Sequence, residues 1–249
     1  MSRPRLDLKN LRKGFGPTDV LADINLSVQP GEFVSILGPS GAGKSTILQL
    51  LTGAIAPDGG QMLLDGQPLT PAQHRFAFMP QGDALMPWRR IIDNTTLGLE
   101  VQGLGRQAAR ARVIPLFAEF GLAGFENHYP AQLSGGMRQR AALLRTVVQQ
   151  RPMLLLDEPF GALDALTRAQ MQRWLADMWT RHRWTVLLIT HDVREAVLLS
   201  DRIYVLSARP ACVAHHFQVP LDHPRHSVGS PELAALEARI LQTLLNPED

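Results

Sequence analysis

Short apolar runs and polar turns alternate over the first third of the chain. Residues 6–11, 24–28 and 33–37 read as β-strands, separated by the turn formers Gly14, Gly16, Pro17, Pro30 and Gly31. The run Phe33-Val34-Ser35-Ile36-Leu37 opens directly into GPSGAGKST, and ILQLLTG then continues with apolar residues at helical spacing. That order is strand, glycine loop, helix. Two further short strands are expected at residues 61–64 and 75–79. From about residue 87 to 150 the texture turns helical, as in GRQAARARVIPLFAEFGL and SGGMRQRAALLRTVVQQ. Unbroken apolar runs return at 153–156 and 185–189, with residues 164–183 reading as a crossover helix between them. Continuous rather than alternating hydrophobics indicate strands buried on both faces, as in a parallel sheet. The pattern predicts one α/β domain over residues 1–249, with a helical insertion at about 87–150. A last helix, PELAALEARILQTLL, carries an apolar face (Leu233, Leu236, Ile240, Leu244) that is expected to pack on its own domain.

Composition narrows what this layout can do. The 249 residues are 45% hydrophobic, enough for a full core, and the 25 basic and 23 acidic residues leave a formal charge of only +2. A nucleic-acid binder should carry a basic stripe, and none is visible. The lone Cys212 cannot form an internal disulfide, which points to a reducing compartment. The opening MSRPRLDLKNLRKG lacks the apolar stretch of a signal peptide, and no run reaches the roughly 18 apolar residues that span a bilayer. Only Lys9, Lys13 and Lys44 are lysines; every other cation is Arg.

Lys44 lies in the first chemical motif. Gly38-Pro39-Ser40-Gly41-Ala42-Gly43-Lys44-Ser45-Thr46 matches G-x-x-x-x-G-K-[ST] in the strand-then-helix setting that the motif requires. Glycines let the backbone curl so that successive N–H groups face phosphate oxygens, and the helix start adds its positive end. Lys44 supplies a point charge for the β- and γ-phosphates, and the Ser45 hydroxyl suits Mg²⁺. This predicts a site for a nucleoside triphosphate with Mg²⁺. A second acid at the end of a neighbouring strand should complete it. Met153-Leu154-Leu155-Leu156-Asp157 provides that acid, with Glu158 next in line as general base for the attacking water. His191 ends the 186–189 run at the same sheet edge, where it can sense the γ-phosphate and hold the water or Glu158. Gln81 follows the strand ending at Met79. Finally, Leu133-Ser134-Gly135-Gly136-Met137 opens a strong helix and forms a second anion site in a chain whose own phosphates are already served. Such redundancy makes sense if the loop completes the site of another copy.

Taken in order, GPSGAGKST, Gln81, LSGGM, LLLDEP, GALD (residues 161–164) and His191 resemble the ATP-binding cassette (ABC) ATPases over nearly the whole chain. The resemblance implies a P-loop NTPase, RecA-like parallel core with an N-terminal antiparallel β subdomain and an inserted helical subdomain. It implies that Phe15 stacks on adenine and that Gln81 touches Mg²⁺ and the water beside Asp157 and Ser45. Glu158, His191 and Gln81 would then be catalytic. Ser134, Gly135, Gly136 and Met137 would meet ATP in trans, with Ser134 and Gly136 on the γ-phosphate and Asp164 at the seam of a head-to-tail dimer. Two departures stand out: Met137 replaces the commoner Gln, beyond the residues that grip phosphate, and the aromatic is Phe, whose ring still stacks.

Leu85-Met86-Pro87-Trp88, followed by Asp93-Asn94 and Gly98-Leu99-Glu100, resembles the importer ATPases for nitrate, sulfonate, taurine and thiamine precursors, as does FQVPLDHPR at residues 217–225. A surface Met-Pro-Trp also suits a groove for another protein's helix. The implied partners are a second copy of this chain, two membrane-spanning permease subunits and, indirectly, an extracytoplasmic solute-binding protein, with no nucleic acid. The implied location is the cytoplasmic face of a bacterial inner membrane, as a peripheral subunit. The export direction, a soluble ABC ATPase acting on nucleic acid and a small-molecule P-loop kinase are the rival readings. The last would leave LSGGM and His191 unexplained. His215, His216, His223 and His226 sit in a Pro-rich segment without Cys or clustered carboxylates, which predicts an exposed surface rather than a metal site.

Overall fold

Chain order in the computed structural model, which describes residues 3–70, 75–225 and 230–245, begins with two long strands, β1 (Leu6–Phe15) and β2 (Thr18–Val28). Then come β3 (Phe33–Leu37), α1 (Lys44–Leu51), β4 (Gly59–Leu64), β5 (Gln67–Pro68) and β6 (Phe76–Met79). Four helices occupy the next stretch: α2 (Ile91–Thr95), α3 (Leu97–Val101), α4 (Arg106–Glu119) and α5 (Gly135–Val147). The chain returns to the sheet with β7 (Met153–Asp157), α6 (Ala165–His182), β8 (Val186–Ile189) and α7 (Val193–Leu199). It finishes with β9 (Arg202–Leu206), β10 (Ala211–Gln218) and α8 (Pro231–Leu245).

Ten strands form one sheet in the order β5-β4-β1-β2-β10-β9-β3-β8-β7-β6. The run β9-β3-β8-β7-β6 is parallel throughout, whereas β1, β2, β4 and β5 pair antiparallel. β10 joins the two halves, antiparallel to β9 and parallel to β2. Every residue of β3 and of β8 is buried. β8 is apolar throughout, and the one polar residue of β3, Ser35, shares a hydrogen bond with the buried Ser200 hydroxyl. On one face α1 packs with β1 and β2. On the other, α5 and α6 join the helical segment, and the buried Trp179 of α6 meets Phe33 edge-on at 6.0 Å. α7 and α8 close a third cluster, where Leu233 and Ile240 of α8 are buried and Leu236 and Leu244 half-buried. Among the described residues no helix is long and apolar enough to cross a membrane.

The parallel strands run the same way, so their C-terminal ends share one edge. The loops after β3, β6, β7, β8 and β9 therefore converge, which is where ligands bind in open α/β sheets.

Three sequence expectations change. β1 and β2 extend well beyond residues 6–11 and 24–28, because a two-residue Gly16-Pro17 turn joins them and their polar residues lie on the outer face. His215 and His216 lie on β10, in the middle of the sheet rather than in an irregular Pro-rich segment, with His215 half-buried and His216 exposed as expected. His223 is buried, its ring against Trp179 at 4.5 Å and its Nε2 3.2 Å from Asp201. Next to it Arg225 is 4% exposed and donates to the carbonyls of Val197, Ser200, Val219 and Leu221. FQVPLDHPR thus ties off the C-terminus of α7, whose last carbonyls would otherwise be orphaned. Burial presses the Arg225 guanidinium down to about 10, and it stays charged at neutral pH. No group of three or more His, Cys, Asp or Glu able to hold a metal exists among the described residues, and His226 lies outside them.

Candidate active site

The loop after β3 owes its path to glycine. Gly41 and Gly43 have φ of 82° and 92°, and a Cβ on Gly43 would stand 2.7 Å from Leu21 Cδ2 and 2.9 Å from Val20 Cγ1. Gly43 leads directly into α1, whose first residue is Lys44. The Lys44 side chain is buried and donates to the carbonyls of Gly38 at 2.6 Å and Pro39 at 2.9 Å. Burial lowers its affinity for a proton, while Glu158 and Asp157 pull the other way. Ala42 is buried in the core, so its contribution is its backbone.

Gln81, Glu158 and His191 come from three different strand ends and meet at one point. Gln81 Nε2 donates to Glu158 Oε2 at 3.2 Å, and His191 Nδ1 lies 3.1 Å from Glu158 Oε1. Glu158 itself has φ 42°, a left-handed conformation that costs an L side chain free energy. Its N–H donates to Ile189 O and its carbonyl accepts from Gly161, so β8 and GALD hold the strained residue in place. His191 is set by a buried network behind it. Thr190 Oγ1 donates to Glu195 Oε2 at 2.6 Å, Gln172 Nε2 donates to Glu195 Oε1, and Asp192 caps α7 through the N–H groups of Arg194 and Glu195. A cleft of about 610 Å³ lies over this edge, lined by Ser40, Gly41, Gly43, Lys44, Ser45, Thr46, Gln81, Glu158, His191 and Arg209. Arg209 is the one lining residue that no motif flags.

Asp157 sits at the end of β7, and burial, followed by the charge of Glu158, raises its carboxyl above the usual range against the pull of Lys44. A cation placed there would relieve that stress. The oxygens of Asp157, Ser45 and Gln81 are hard donors too few to form a full cage. A cation at this edge would complete its shell with phosphate and water, which fits Mg²⁺.

Other expected residues lie apart from the cleft. Phe15 is 48% exposed at the end of β1, with Lys13 Nζ 5.5 Å from its ring centre, leaving a face open for stacking. Ser134 caps α5 by accepting from Met137 N–H, and it is exposed. A Cβ on Gly136 would stand 3.1 Å from Thr167 Cγ2, so a glycine is needed for α5 to meet α6. The Met137 side chain packs on the core instead of facing outward. Ser134 to Met137 do not line the cleft of their own chain. Asp164 caps α6, accepting from Leu166 and Thr167.

The loop leaving Gln81 is gripped by the helical segment. Asn94, fully buried, accepts from Met86 N–H and donates to the carbonyls of Met86 and Arg89. Arg145 donates to the carbonyls of Asp83 and Ala84, and Arg89 pairs with Glu100 at 3.1 Å. These contacts give Asn94 and Glu100 their structural reason, Asp93 is held by Arg106 at 2.9 Å and Arg110 at 2.6 Å, and Trp88 is left 74% exposed at the surface.

Residues 21–161 match the ABC transporter family. The chain belongs to the ABC transporter family. It is the subunit of the family that binds and hydrolyses ATP, with the P-loop ATPase fold. Among its relatives is the aliphatic sulfonates import ATP-binding protein SsuB of Pseudomonas fluorescens (strain Pf0-1), 44% identical over 97% of this chain and 87% of that protein. SsuB 1 of Rhodococcus jostii (strain RHA1), also described as an aliphatic sulfonates import ATP-binding protein, is 43% identical over 98% of this chain and 95% of its own length. Among solved structures, the dimeric structure of MJ0796, a bacterial ABC transporter cassette, superposes with a TM-score of 0.74. It is 29% identical to this chain and covers 87% of it and all of the cassette. A second MJ0796 structure, a dimeric post-hydrolysis state bound to ADP and Pi, has a TM-score of 0.73 at the same identity.

Proposed function

We propose that this ABC ATPase powers uptake of an aliphatic sulfonate through membrane-spanning partner subunits, with hydrolysis carried out by Glu158. The observation that carries the chemistry is the convergence of Gln81 and His191 on the two oxygens of Glu158, beside Lys44. Glu158 takes the proton of the attacking water, Gln81 and His191 orient the carboxylate, and Lys44 exchanges its loop carbonyls for phosphate oxygens. Ser45, Asp157 and Gln81 hold Mg²⁺, which when bound neutralises charge on the phosphates. Phe15 stacks on the adenine.

The chain works as a pair. Ser134 and Gly135, with the backbone of Gly136 and Met137 behind them, meet the ATP held by the partner copy, the Met137 side chain staying on its own core, and Asp164 lies at the seam. The exposed Trp88, on a loop clamped by Asn94, docks a helix of the permease on the cytoplasmic side of the membrane. Sulfonate as cargo is supported by the relatives that match most of their length and are aliphatic sulfonates import ATP-binding proteins. A strain lacking this gene should fail to grow on an aliphatic sulfonate as sole sulfur source and grow normally on sulfate. The wild-type gene should restore growth, and Glu158→Gln should not. Unimpaired growth of the deletion strain on sulfonates would overturn the cargo assignment.

A further inference from the structure

We infer that Arg209 is a second cation for the phosphate chain, reaching the P-loop from the side opposite to Glu158. The inference rests on the ATPase reading and adds a residue to it. Sheet order places β9 directly beside β3, with β8 and β7 on the other flank. The β9–β10 hairpin therefore rises next to the P-loop, across from Gln81, Glu158 and His191. Its position is tight at the base: a Cβ on Gly38 would stand 3.1 Å from Leu206 Cβ. The tip is pinned as well, since Ser207 N–H donates to Cys212 O and Ser207 Oγ accepts from Cys212 N–H, both at 3.0 Å.

From this platform Arg209 extends over the loop apex and lines the cleft, with Nη2 3.9 Å from where a Gly41 Cβ would be. Among the described residues no carboxylate pairs with it, whereas Arg202, seven residues earlier, is engaged with Glu32 at 2.6 Å. The charge balance gives the guanidinium a purpose. Among the side chains of the edge, Asp157 and Glu158 stand against Lys44. Mg²⁺ held beside Asp157 would offset the two carboxylates, yet MgATP itself keeps a net negative charge that a further cation on the open side of the loop can meet. A planar guanidinium also matches phosphate geometry through paired N–H donors. Gly41 has no side chain to come between the two.

The test is the dissociation constant for MgATP on the full chain, at low and high salt, for wild type, Arg209→Ala, Arg209→Lys and Lys44→Ala. Arg209→Ala should weaken binding about fivefold at low salt, as for an exposed charge contact. It should also flatten the salt dependence, because one fewer charge is screened. Arg209→Lys should recover most of the loss, which a purely structural role in the hairpin would not produce. Wild-type affinity and salt dependence in Arg209→Ala would overturn the inference, including the case where only self-association weakens. Wild-type affinity in Lys44→Ala would instead bring down the ATP site itself.

Discussion

Lys44 donates to two carbonyls of its own loop, and its burial favours the neutral form while Glu158 and Asp157 favour the charged one. A phosphate oxygen is a better acceptor than either carbonyl because it carries charge. Lys44→Ala is expected to lower ATP affinity about 10- to 100-fold, the scale of one charge-assisted hydrogen bond, in a titration with a fluorescent ATP analogue. His191 differs in kind: its contact is with Glu158. His191→Ala should cut kcat about 100-fold, within the range for a positioned acid–base group, and leave ATP affinity little changed. A large loss of affinity in that variant would move His191 from hydrolysis to binding. At this scale the sequence was readable wherever a motif has fixed spacing. Arg209 escaped because SARP has no such spacing, and only the β9–β3 pairing brings it to the P-loop.

Elements show the same contrast. β7 and β8 were legible because strands buried on both faces have nearly unbroken apolar sequences, and β3, interrupted by Ser35, because it runs from a Pro-Gly turn straight into the glycine loop. β9 carries the same signal in Ile203-Tyr204-Val205-Leu206 although it is absent from the expected strands, whereas β10 mixes Ala, Cys and His and is half-exposed, and its pairing with both halves of the sheet is a long-range property. His223 looked like a surface residue, and Arg225 had no assigned role, because sequence cannot show that Asp201 and the end of α7 await them. The α7 start also carries a pH dependence. Burial raises the Glu195 carboxyl above its ordinary 4.5 against hydrogen bonds from Thr190 and Gln172. Between 4.5 and the raised value, the folded chain holds a proton that the unfolded chain releases. Stability is therefore lost as pH rises through that window. Glu195→Gln should raise the thermal midpoint by about 2–4 °C at neutral pH, and the gain should shrink as pH falls toward 4.5. Glu195→Ala should lower it, because Thr190 and Gln172 would lose their acceptor. A gain in Glu195→Gln that persists in acid would contradict this account of the network.

As a whole molecule, the chain keeps apart the Gln81, Glu158 and His191 edge, proposed to hydrolyse ATP, and the exposed start of α5, proposed to meet ATP in trans: the two do not share a cleft within one copy. Near-neutral net charge fits this design, since phosphate recognition is concentrated in a loop of backbone amides and one or two cations. The helical segment links that edge to the surface through Gln81, the Asn94 clamp and Trp88. Closure of two copies around ATP would then move the docking surface, and hydrolysis would release it. The most direct test is the mass of Glu158→Gln by light scattering, with MgATP and with MgADP. The expected result is a doubling of mass with ATP alone, no turnover, and loss of the dimer when Ser134→Arg is added. A variant that stays monomeric with ATP, or hydrolyses it at the wild-type rate, would contradict the account.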